Sequence, residues 1–361
     1  MNKIVISGFY GFHNIGDEAI LETLTEQLRK LDPDMQITVL SHSPEETMQK
    51  FGVQAIKRND PFKVIRAIFK SDILLSGGGS LLQDDTSARS IHYYLTILRI
   101  GLFFKKKVFL ISNGIGPIIR DGNKKIVAKV LNRVEHITVR DFNSKKLLVD
   151  IGVKTEKVSV SADMVVAMRM EDKQFGAEIL ANLKMIAPER KIIAIAIRQK
   201  DFRDAEKRLS LVTLANRLSE TYSVVFVPFY YKNDTKIYDD IHMDVSEHVY
   251  FIKEKYNSDE FMSLLQNFDL LIGSRLHSLI FALVAEIPFI GISYDPKIEN
   301  FMEMIDMKPI CAMSNFDADV ILDEVNRIYE DYEGQKHKIV LAKQSLKSRL
   351  LINDDMLMKV L

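Results

Sequence analysis

"KIVISGFYGFHNIGDEAILETLTEQLRKL", residues 3–31, contains one complete strand, loop and helix of the pattern that repeats along this chain. The β-branched run Lys3–Ser7 predicts a strand. A glycine-containing loop follows, and the apolar residues beyond it recur at helical spacing. They predict one buried stripe, made of Ile20, Leu21, Leu24, Leu28 and Leu31.

Short β-branched runs alternate with longer helical patterns over the rest of the chain, which predicts βαβ units and mostly parallel sheets. The further strands are expected at 37–40, 73–76, 108–112, 137–139 and 158–161, and then at 192–197, 224–228, 249–252, 270–272 and 288–292. Parallel α/β sheets bind ligands at the carboxyl ends of their strands. Functional residues are therefore expected in the loops that follow these runs.

The length of 361 residues predicts two domains. A polar stretch at Glu171–Gly176 interrupts the pattern and is interpreted as the linker. We expect an N-terminal α/β domain at 1–170, a C-terminal α/β domain at 171–316 that faces it across a cleft, and helices at 317–361 that pack against both.

Composition excludes several classes of protein. Lys plus Arg equals Asp plus Glu at 49 each, so no global basic field drives nonspecific nucleic-acid binding. The single cysteine, Cys311, excludes an internal disulfide framework and argues against a zinc site built on sulfur. No signal peptide or membrane-spanning run is recognised, and a cytoplasmic protein is expected.

Three glycine-rich turns follow predicted strands in the first half, namely "SGFYGFHNIGDEA", "SGGGSLLQDD" and "SNGIGP". Their spacing matches neither the G-x-G-x-x-G dinucleotide pattern nor a Walker A motif. Asp17 and Glu18 would repel a phosphate, so the first loop is expected to meet hydroxyl groups, unless both are ordinary residues of a first helical turn. The candidate ligand-binding residues of these turns are Gly11, Asn14, Gly16, Asp17, Gly78, Gly79, Asn113 and Gly114.

The apolar stretch "GSRLHSLIFALVAEIPFIGISYDPKIENF", residues 273–301, carries three cationic groups. With Ser274 as the predicted N-cap, Arg275 and His277 lie in the first turn of a buried helix. Lys297 follows the next strand, and Arg140 follows a strand of the first domain. Separately these could be a core histidine, a structural arginine and solvated lysines, but together they predict a site for a compact anion.

Together, "GFYGFHNIGDEAI", "LLSGGGSLLQD", "NGIGP", "VRD", "SRLHSLIFAL" and "ISYDPKI" resemble the polysaccharide pyruvyl transferase family, from the first strand to about Phe301. The resemblance implies two Rossmann-like domains that face each other as in GT-B enzymes. It also implies transfer of pyruvate from phosphoenolpyruvate to form a cyclic ketal on a sugar. In bacterial cell-wall members that sugar is N-acetylmannosamine of a secondary cell-wall polysaccharide, whose pyruvylated end anchors S-layer homology domains.

The resemblance also implies residue roles. The N-terminal domain would bind the acceptor and complete the donor site, and no metal or cofactor is expected. We expect His277 to be the general acid and Asp17 to orient or deprotonate an acceptor hydroxyl, which belongs to a lipid-linked or soluble amino sugar. The expected phosphoenolpyruvate-binding residues are Arg140, Arg275, Leu276, His277 and Lys297.

Two other functions remain open. "FALVAEIPFIGI" partly matches the nucleotide-sugar glycosyltransferase pattern E-A-x-A-x-G-x-P, but Phe281 and Glu286 occupy its Glu and Gly positions. A noncatalytic sugar-binding protein would bind glycan without releasing phosphate.

The segment "LRIGLFFKKKVFL" also allows two interpretations. Phe103 and Phe104 beside Lys105–Lys107 could touch the inner face of an anionic membrane. A helix end followed by a polar turn into a strand is the favoured interpretation.

Overall fold

The computed structural model describes residues 2–85, 90–185, 187 and 189–359. The chain divides into two units. Unit 1 comprises Met1–Ala167 and Leu346–Leu361, and unit 2 comprises Met168–Ser345. No helix among the described residues is both long and apolar enough to cross a lipid bilayer.

Unit 1 is built on one parallel sheet with the strand order β3-β2-β1-β4-β5-β6-β7. Its strands are β1 (Lys3–Tyr10), β2 (Gln36–Ser41), β3 (Gln54–Lys57), β4 (Ile73–Gly77), β5 (Lys107–Asn113), β6 (His136–Val139) and β7 (Val158–Val160). The chain winds outward from β1 in one direction and from β4 in the other. Such a switch point opens a crevice at the carboxyl ends of the two strands.

Each of the strands β1 to β6 leads into a helix, and side-chain caps start several of these helices. The helices are α1 (Ile15–Leu31), α2 (Pro44–Phe51), α3 (Pro61–Lys70), α4 (Ser90–Phe103), α5 (Asp121–Leu131) and α6 (Phe142–Asp150). Asn14 caps α1 and Asp60 caps α3 by accepting backbone N–H groups. The predicted α1 stripe is confirmed, since Ile20, Leu21, Leu24 and Leu28 are buried and Leu31 is half-buried.

Unit 2 repeats this design with a parallel sheet of order β10-β9-β8-β11-β12-β13. Its strands are β8 (Ile192–Ala196), β9 (Ser223–Phe226), β10 (Val249–Phe251), β11 (Leu270–Gly273), β12 (Phe289–Ser293) and β13 (Cys311–Ala312). Here the switch point lies between β8 and β11. The helices are α7 (Lys173–Asn182), α8 (Ala205–Ser219), α9 (Tyr231–Asp234), α10 (Lys236–Ile241), α11 (Ser258–Leu265), α12 (Leu276–Ala285), α13 (Pro296–Glu303), α14 (Ala318–Glu330) and α15 (Tyr332–Met358).

The predicted strands all occur, and two further strands were missed. Strand β3 reads Gln-Ala-Ile-Lys and lies at the sheet edge, so its two middle residues are only half-buried and the other two are exposed. Strand β13 has only two residues. Neither has the apolar run that identifies an inner strand.

The boundary between the units falls at Ala167 and Met168. The polar stretch Glu171–Gly176 enters α7, where Asp172 is the N-cap. The Gly176 N–H donates to Ser263 Oγ at 2.9 Å, so the first turn of α7 is bonded to α11.

The end of α15 belongs to unit 1 through the side chain of Asn353, which is fully buried. Its Oδ1 accepts a hydrogen bond from Thr138 Oγ1 at 2.7 Å, and its Nδ2 donates to Ser112 Oγ at 3.0 Å. One amide therefore satisfies two buried hydroxyl groups on neighbouring strands, β5 and β6.

Replacing Asn353 by alanine should lower the stability of unit 1. The Asn353→Ala variant leaves the Thr138 and Ser112 hydroxyls buried without this partner, at a cost of about 1–3 kcal/mol. Urea unfolding followed by circular dichroism measures the loss, and Gln49→Ala removes an exposed amide of unit 1 as the control. Equal midpoints for both variants would contradict the role assigned to Asn353.

Candidate functional site

The glycine turns of unit 1 meet at its switch point, between β1 and β4. Gly78 and Gly79 have φ values of +59° and +71°, a backbone conformation that residues other than glycine rarely adopt. Asp17, in the first turn of α1, lies against this turn, because a Cβ at Gly79 would be 3.2 Å from Asp17 Oδ1. The carboxyl group of Asp17 is thus placed beside the β4 turn.

Glu18 has a different role from that of Asp17. Its Oε1 accepts the Gly11 N–H at 2.8 Å, where Gly11 has a φ of +78°. Burial raises the pKa of Glu18, although the hydrogen bond from Gly11 works against this shift. Glu18 therefore stabilises the first glycine loop, as an ordinary residue of a helix start would. Asn14 caps the same helix by accepting the Gly16 N–H at 3.1 Å.

The loop after β5 supports the loop after β4. Asn113 Nδ2 donates to the Gly78 carbonyl at 3.1 Å, and the Gly114 N–H donates to the Gly79 carbonyl at 3.0 Å. Asn113 is fully buried, and its Oδ1 has no hydrogen-bond partner among the described residues. These contacts fix the shape of the β4 turn beside Asp17.

Arg140 follows β6 and is nearly buried. Its Nη1 donates to Asp163 Oδ2 at 3.0 Å and its Nη2 donates to Ser80 Oγ at 2.9 Å. The guanidinium packs directly on Gly114, where a Cβ would lie 2.7 Å from Cζ. Arg140 is therefore held by the β4 and β5 loops at the carboxyl edge of the sheet.

A stack of rings follows β1 and was not foreseen from the sequence. Phe9 and Phe12 stack with centroids 4.1 Å apart, and Phe12 stacks on His42 at 4.4 Å. The Arg58 guanidinium lies 5.2 Å from the Phe12 ring centroid and 4.3 Å from that of Tyr93. His42 is exposed, so the stack ends at the surface; we name it the aromatic stack.

In unit 2 the start of α12 differs from the prediction. Arg275, and not Ser274, is the N-cap residue, and its side chain makes no capping hydrogen bond. Ser274 is fully buried, and no described residue bonds its Oγ. Leu276 and the half-buried His277 begin the helix, at the carboxyl end of β11.

Arg275 forms a two-pronged ion pair with Asp234, at the end of α9. Its Nε donates to Asp234 Oδ2 at 3.1 Å, and its Nη2 contacts Asp234 Oδ1. The Tyr230 N–H donates to the same carboxylate at 2.8 Å. Burial raises the pKa of Asp234, and the Arg275 charge opposes that rise.

Arg198 is a further cation at this switch point. It follows β8, donates from Nε to Asp201 Oδ2 at 2.7 Å, and stacks on the Tyr294 ring. Lys297 Nζ lies 5.0 Å from the same ring centroid and 3.3 Å from Asp295 Oδ2. Arg198 and Lys297 therefore both lie beside the Tyr294 side chain.

The three cations at the switch point of unit 2 are not isolated charges. Arg275, Lys297 and Arg198 each have a carboxylate partner, namely Asp234, Asp295 and Asp201. A charge removed from water needs such a partner, because an isolated buried charge is very unfavourable. The cations face the site as members of ion pairs, which hold their side chains in place.

Sequence reasoning missed Arg198, although a signal was present. "IAIRQK" places an arginine directly after a strand, as "HITVRD" does for Arg140. Phe281 is fully buried against Phe229, and Glu286 ends α12 in a left-handed conformation while binding Lys343. The Glu position of the glycosyltransferase pattern therefore holds no carboxylate, and the Glu286 carboxylate is bonded to Lys343. Within the described ranges, no cluster of three His, Cys, Asp or Glu could hold a metal ion.

Two solved structures with similar folds contain bound UDP-sugars. UDP-GlcNAc 2-epimerase from Neisseria meningitidis, bound to UDP-GlcNAc, matches with a TM-score of 0.66 and 16% identity, over 99% of this chain and 100% of that one. Anabaena Alr3699/HepE, in complex with UDP-glucose, matches with a TM-score of 0.67 and 10% identity, over 99% and 98%. At these identities the likeness shows the fold alone, and it confirms the predicted GT-B-like α/β class.

Two sequence comparisons concern the function. The amylovoran biosynthesis protein AmsJ from Erwinia amylovora is 23% identical, over 94% of this chain and 95% of its own length. The model of the polysaccharide pyruvyl transferase family matches residues 14–296, which include the second and third glycine-rich turns, Arg140, Arg198 and Arg275. The chain is thus a transferase, and it belongs to the polysaccharide pyruvyl transferase family.

Proposed function

We propose that this protein transfers pyruvate from phosphoenolpyruvate to two hydroxyl groups of one sugar, forming a cyclic ketal and releasing inorganic phosphate. The observation that carries the proposal is the group of cations at the switch point of unit 2, in a chain of this family. Three adjacent strands, β8, β11 and β12, are followed there by Arg198, Arg275 and Lys297. His277 lies in the first turn of α12, which begins directly after Arg275.

The donor suits these cations because it carries a phosphate and a carboxylate on three carbons. Arg275 uses Nε and Nη2 for Asp234, so its Nη1 remains on the far edge of the guanidinium. The Lys297 ammonium has three donors and binds phosphate as a point charge. We assign phosphate and carboxylate binding to Arg275 and Lys297, with Leu276 packed beside them, and we retain Arg140 as a predicted donor ligand.

The reaction then needs one proton transfer and two new C–O bonds. His277 donates a proton to the methylene carbon, which becomes the methyl group, and the first sugar hydroxyl bonds to the central carbon. The second hydroxyl bonds to the same carbon, and the C–O bond to phosphate breaks. Of the two hydroxyl protons, one restores His277 and the other leaves with phosphate. A histidine suits this exchange near neutral pH.

The acceptor is assigned to the glycine loops of unit 1. The Asp17 carboxyl group lies at the Gly78–Gly79 turn, where it would accept a hydrogen bond from a sugar hydroxyl. The aromatic stack lies at the end of β1, the strand that precedes the first glycine loop, and it ends in an exposed ring, His42, on which a sugar ring can pack. The similarity to a protein of amylovoran biosynthesis supports a polysaccharide precursor as acceptor.

N-acetylmannosamine of a secondary cell-wall polysaccharide precursor, lipid-linked or soluble, is our first acceptor candidate. It rests on the family resemblance, and so does a role in anchoring S-layer homology domain proteins. The second candidate function is a nucleotide-sugar glycosyltransferase, which the likeness to proteins bound to UDP-sugars favours. The buried Phe281, at the position of the ribose-binding carboxylate, argues against it.

Removing His277 or Lys297 should slow phosphate release. We expect His277→Ala to lower kcat by at least about 100-fold, because it removes the proton donor. Lys297→Ala should mainly raise the KM for phosphoenolpyruvate, because it removes a charge that binds the donor. A continuous phosphate assay with N-acetylmannosaminyl acceptors measures both effects.

Exposed residues of the same types provide the controls, His337→Ala and Lys308→Ala. Full activity in His277→Ala, or equal losses in the controls, would contradict the assigned roles. If the wild-type protein consumes a UDP-sugar but no phosphoenolpyruvate, glycosyl transfer would replace pyruvyl transfer as the proposed function.

Asp17 and Glu18 give a matched pair of carboxylates in one helical turn. Asp17→Asn should lower kcat by about 100-fold while the KM for phosphoenolpyruvate stays the same, because only hydroxyl activation is lost. Glu18→Gln should stay within about threefold of wild type, because the amide oxygen still accepts the Gly11 N–H. The same phosphate assay compares them, and the reverse order of effects would contradict the assignment of Asp17.

A further inference from the structure

Unit 1 carries an apolar surface that its own core does not cover. Helix α3 buries Val64 and Ile68 against the sheet, yet Phe62, Ile65 and Phe69 are 85%, 40% and 59% exposed. These three residues are spaced by three and four positions, which places them on one outward face of the helix. Helix α3 therefore has a second apolar face.

The end of α4 extends this surface. Phe103 is 78% exposed, and the Phe104 ring lies 5.2 Å from both the Phe103 and the Phe69 ring. A groove of about 640 Å³ runs along the outer sides of these helices and α5, where Ile65, Phe103 and Phe104 contribute to its walls. We name this region the α3–α4 face.

The charged residues of α3 and those that line the groove are all cations, although Asp60, the N-cap of α3, pairs with Lys63. Helix α3 carries Lys63, Arg66 and Lys70 and no acidic residue, and the sequence contains no Asp or Glu from residue 90 to 120. The groove itself is lined by three further cations and no carboxylate; they are Arg99, Lys129 and Arg133. Because the whole chain has a net charge of zero, this is a local concentration of positive charge.

We propose that the α3–α4 face docks on the surface of an anionic lipid bilayer. Large apolar side chains enter the boundary between headgroups and acyl chains, and the Lys and Arg side chains bind lipid phosphates around them. The apolar centre of the face matches the acyl-chain region of such a surface, and the surrounding cations match its phosphate headgroups. The local structure at Phe103–Lys107 is the predicted helix end, turn and strand, and the residues of α3 supply the rest of the face.

This inference is independent of the proposed catalysis, because none of these residues is assigned to donor or acceptor binding. The test is cosedimentation with vesicles of one part phosphatidylglycerol to two parts phosphatidylcholine, compared with phosphatidylcholine alone. We expect binding only to the anionic vesicles, and weaker binding at high salt. Phe103→Ser, and separately Lys105→Glu with Lys106→Glu, should weaken it by about tenfold or more.

Matched controls lie in unit 2. Leu209→Ser replaces another exposed apolar residue, and Lys253→Glu with Lys255→Glu reverses another exposed lysine pair. Thermal unfolding checks that every variant is folded, and Phe62→Ser replaces Phe103→Ser if that variant is not. The proposal is overturned if the wild-type protein does not bind anionic vesicles or binds both vesicle types equally. It is also overturned if the control substitutions weaken vesicle binding as much as the substitutions in the α3–α4 face. Binding to single-stranded RNA without vesicle binding also overturns it.

Discussion

The ion pair between Arg275 and Asp234 is the contact on which the switch point of unit 2 depends. Asp234 is almost fully buried, and its carboxylate is held by two guanidinium nitrogens and the Tyr230 N–H. Removing one member of a buried pair costs about 3–5 kcal/mol, because the other charge remains buried. The pair therefore fixes the start of α12, with His277 in its first turn, before any ligand arrives.

The sequence predicted the α/β class and every inner strand, because inner strands of parallel sheets are continuous apolar runs. It did not predict β3 or β13, since an edge strand of mixed polarity and a strand of two residues resemble loops. It predicted helices at 317–361 that pack against both domains, and in the structure Leu346–Leu361 are grouped with unit 1. Asn353 contributes to this grouping through Thr138 and Ser112, which precede it by 215 and 241 residues.

The candidate site was predictable where a residue directly follows a strand. Arg275 and Lys297 were found in this way, whereas Arg198 was overlooked despite the same signal. The carboxylate partners were less accessible to sequence reasoning, because Asp234 precedes Arg275 by 41 residues and only the fold brings them together. The different roles of Asp17 and Glu18 were likewise unpredictable, since adjacent residues point to different loops.

Isothermal titration with phosphoenolpyruvate and, separately, with UDP tests the central claim most directly. It reports ligand choice without requiring the acceptor sugar. We expect saturable binding of phosphoenolpyruvate that is weakened in Lys297→Ala and retained in Lys308→Ala, with no binding of UDP. Saturable binding of UDP without binding of phosphoenolpyruvate would contradict it.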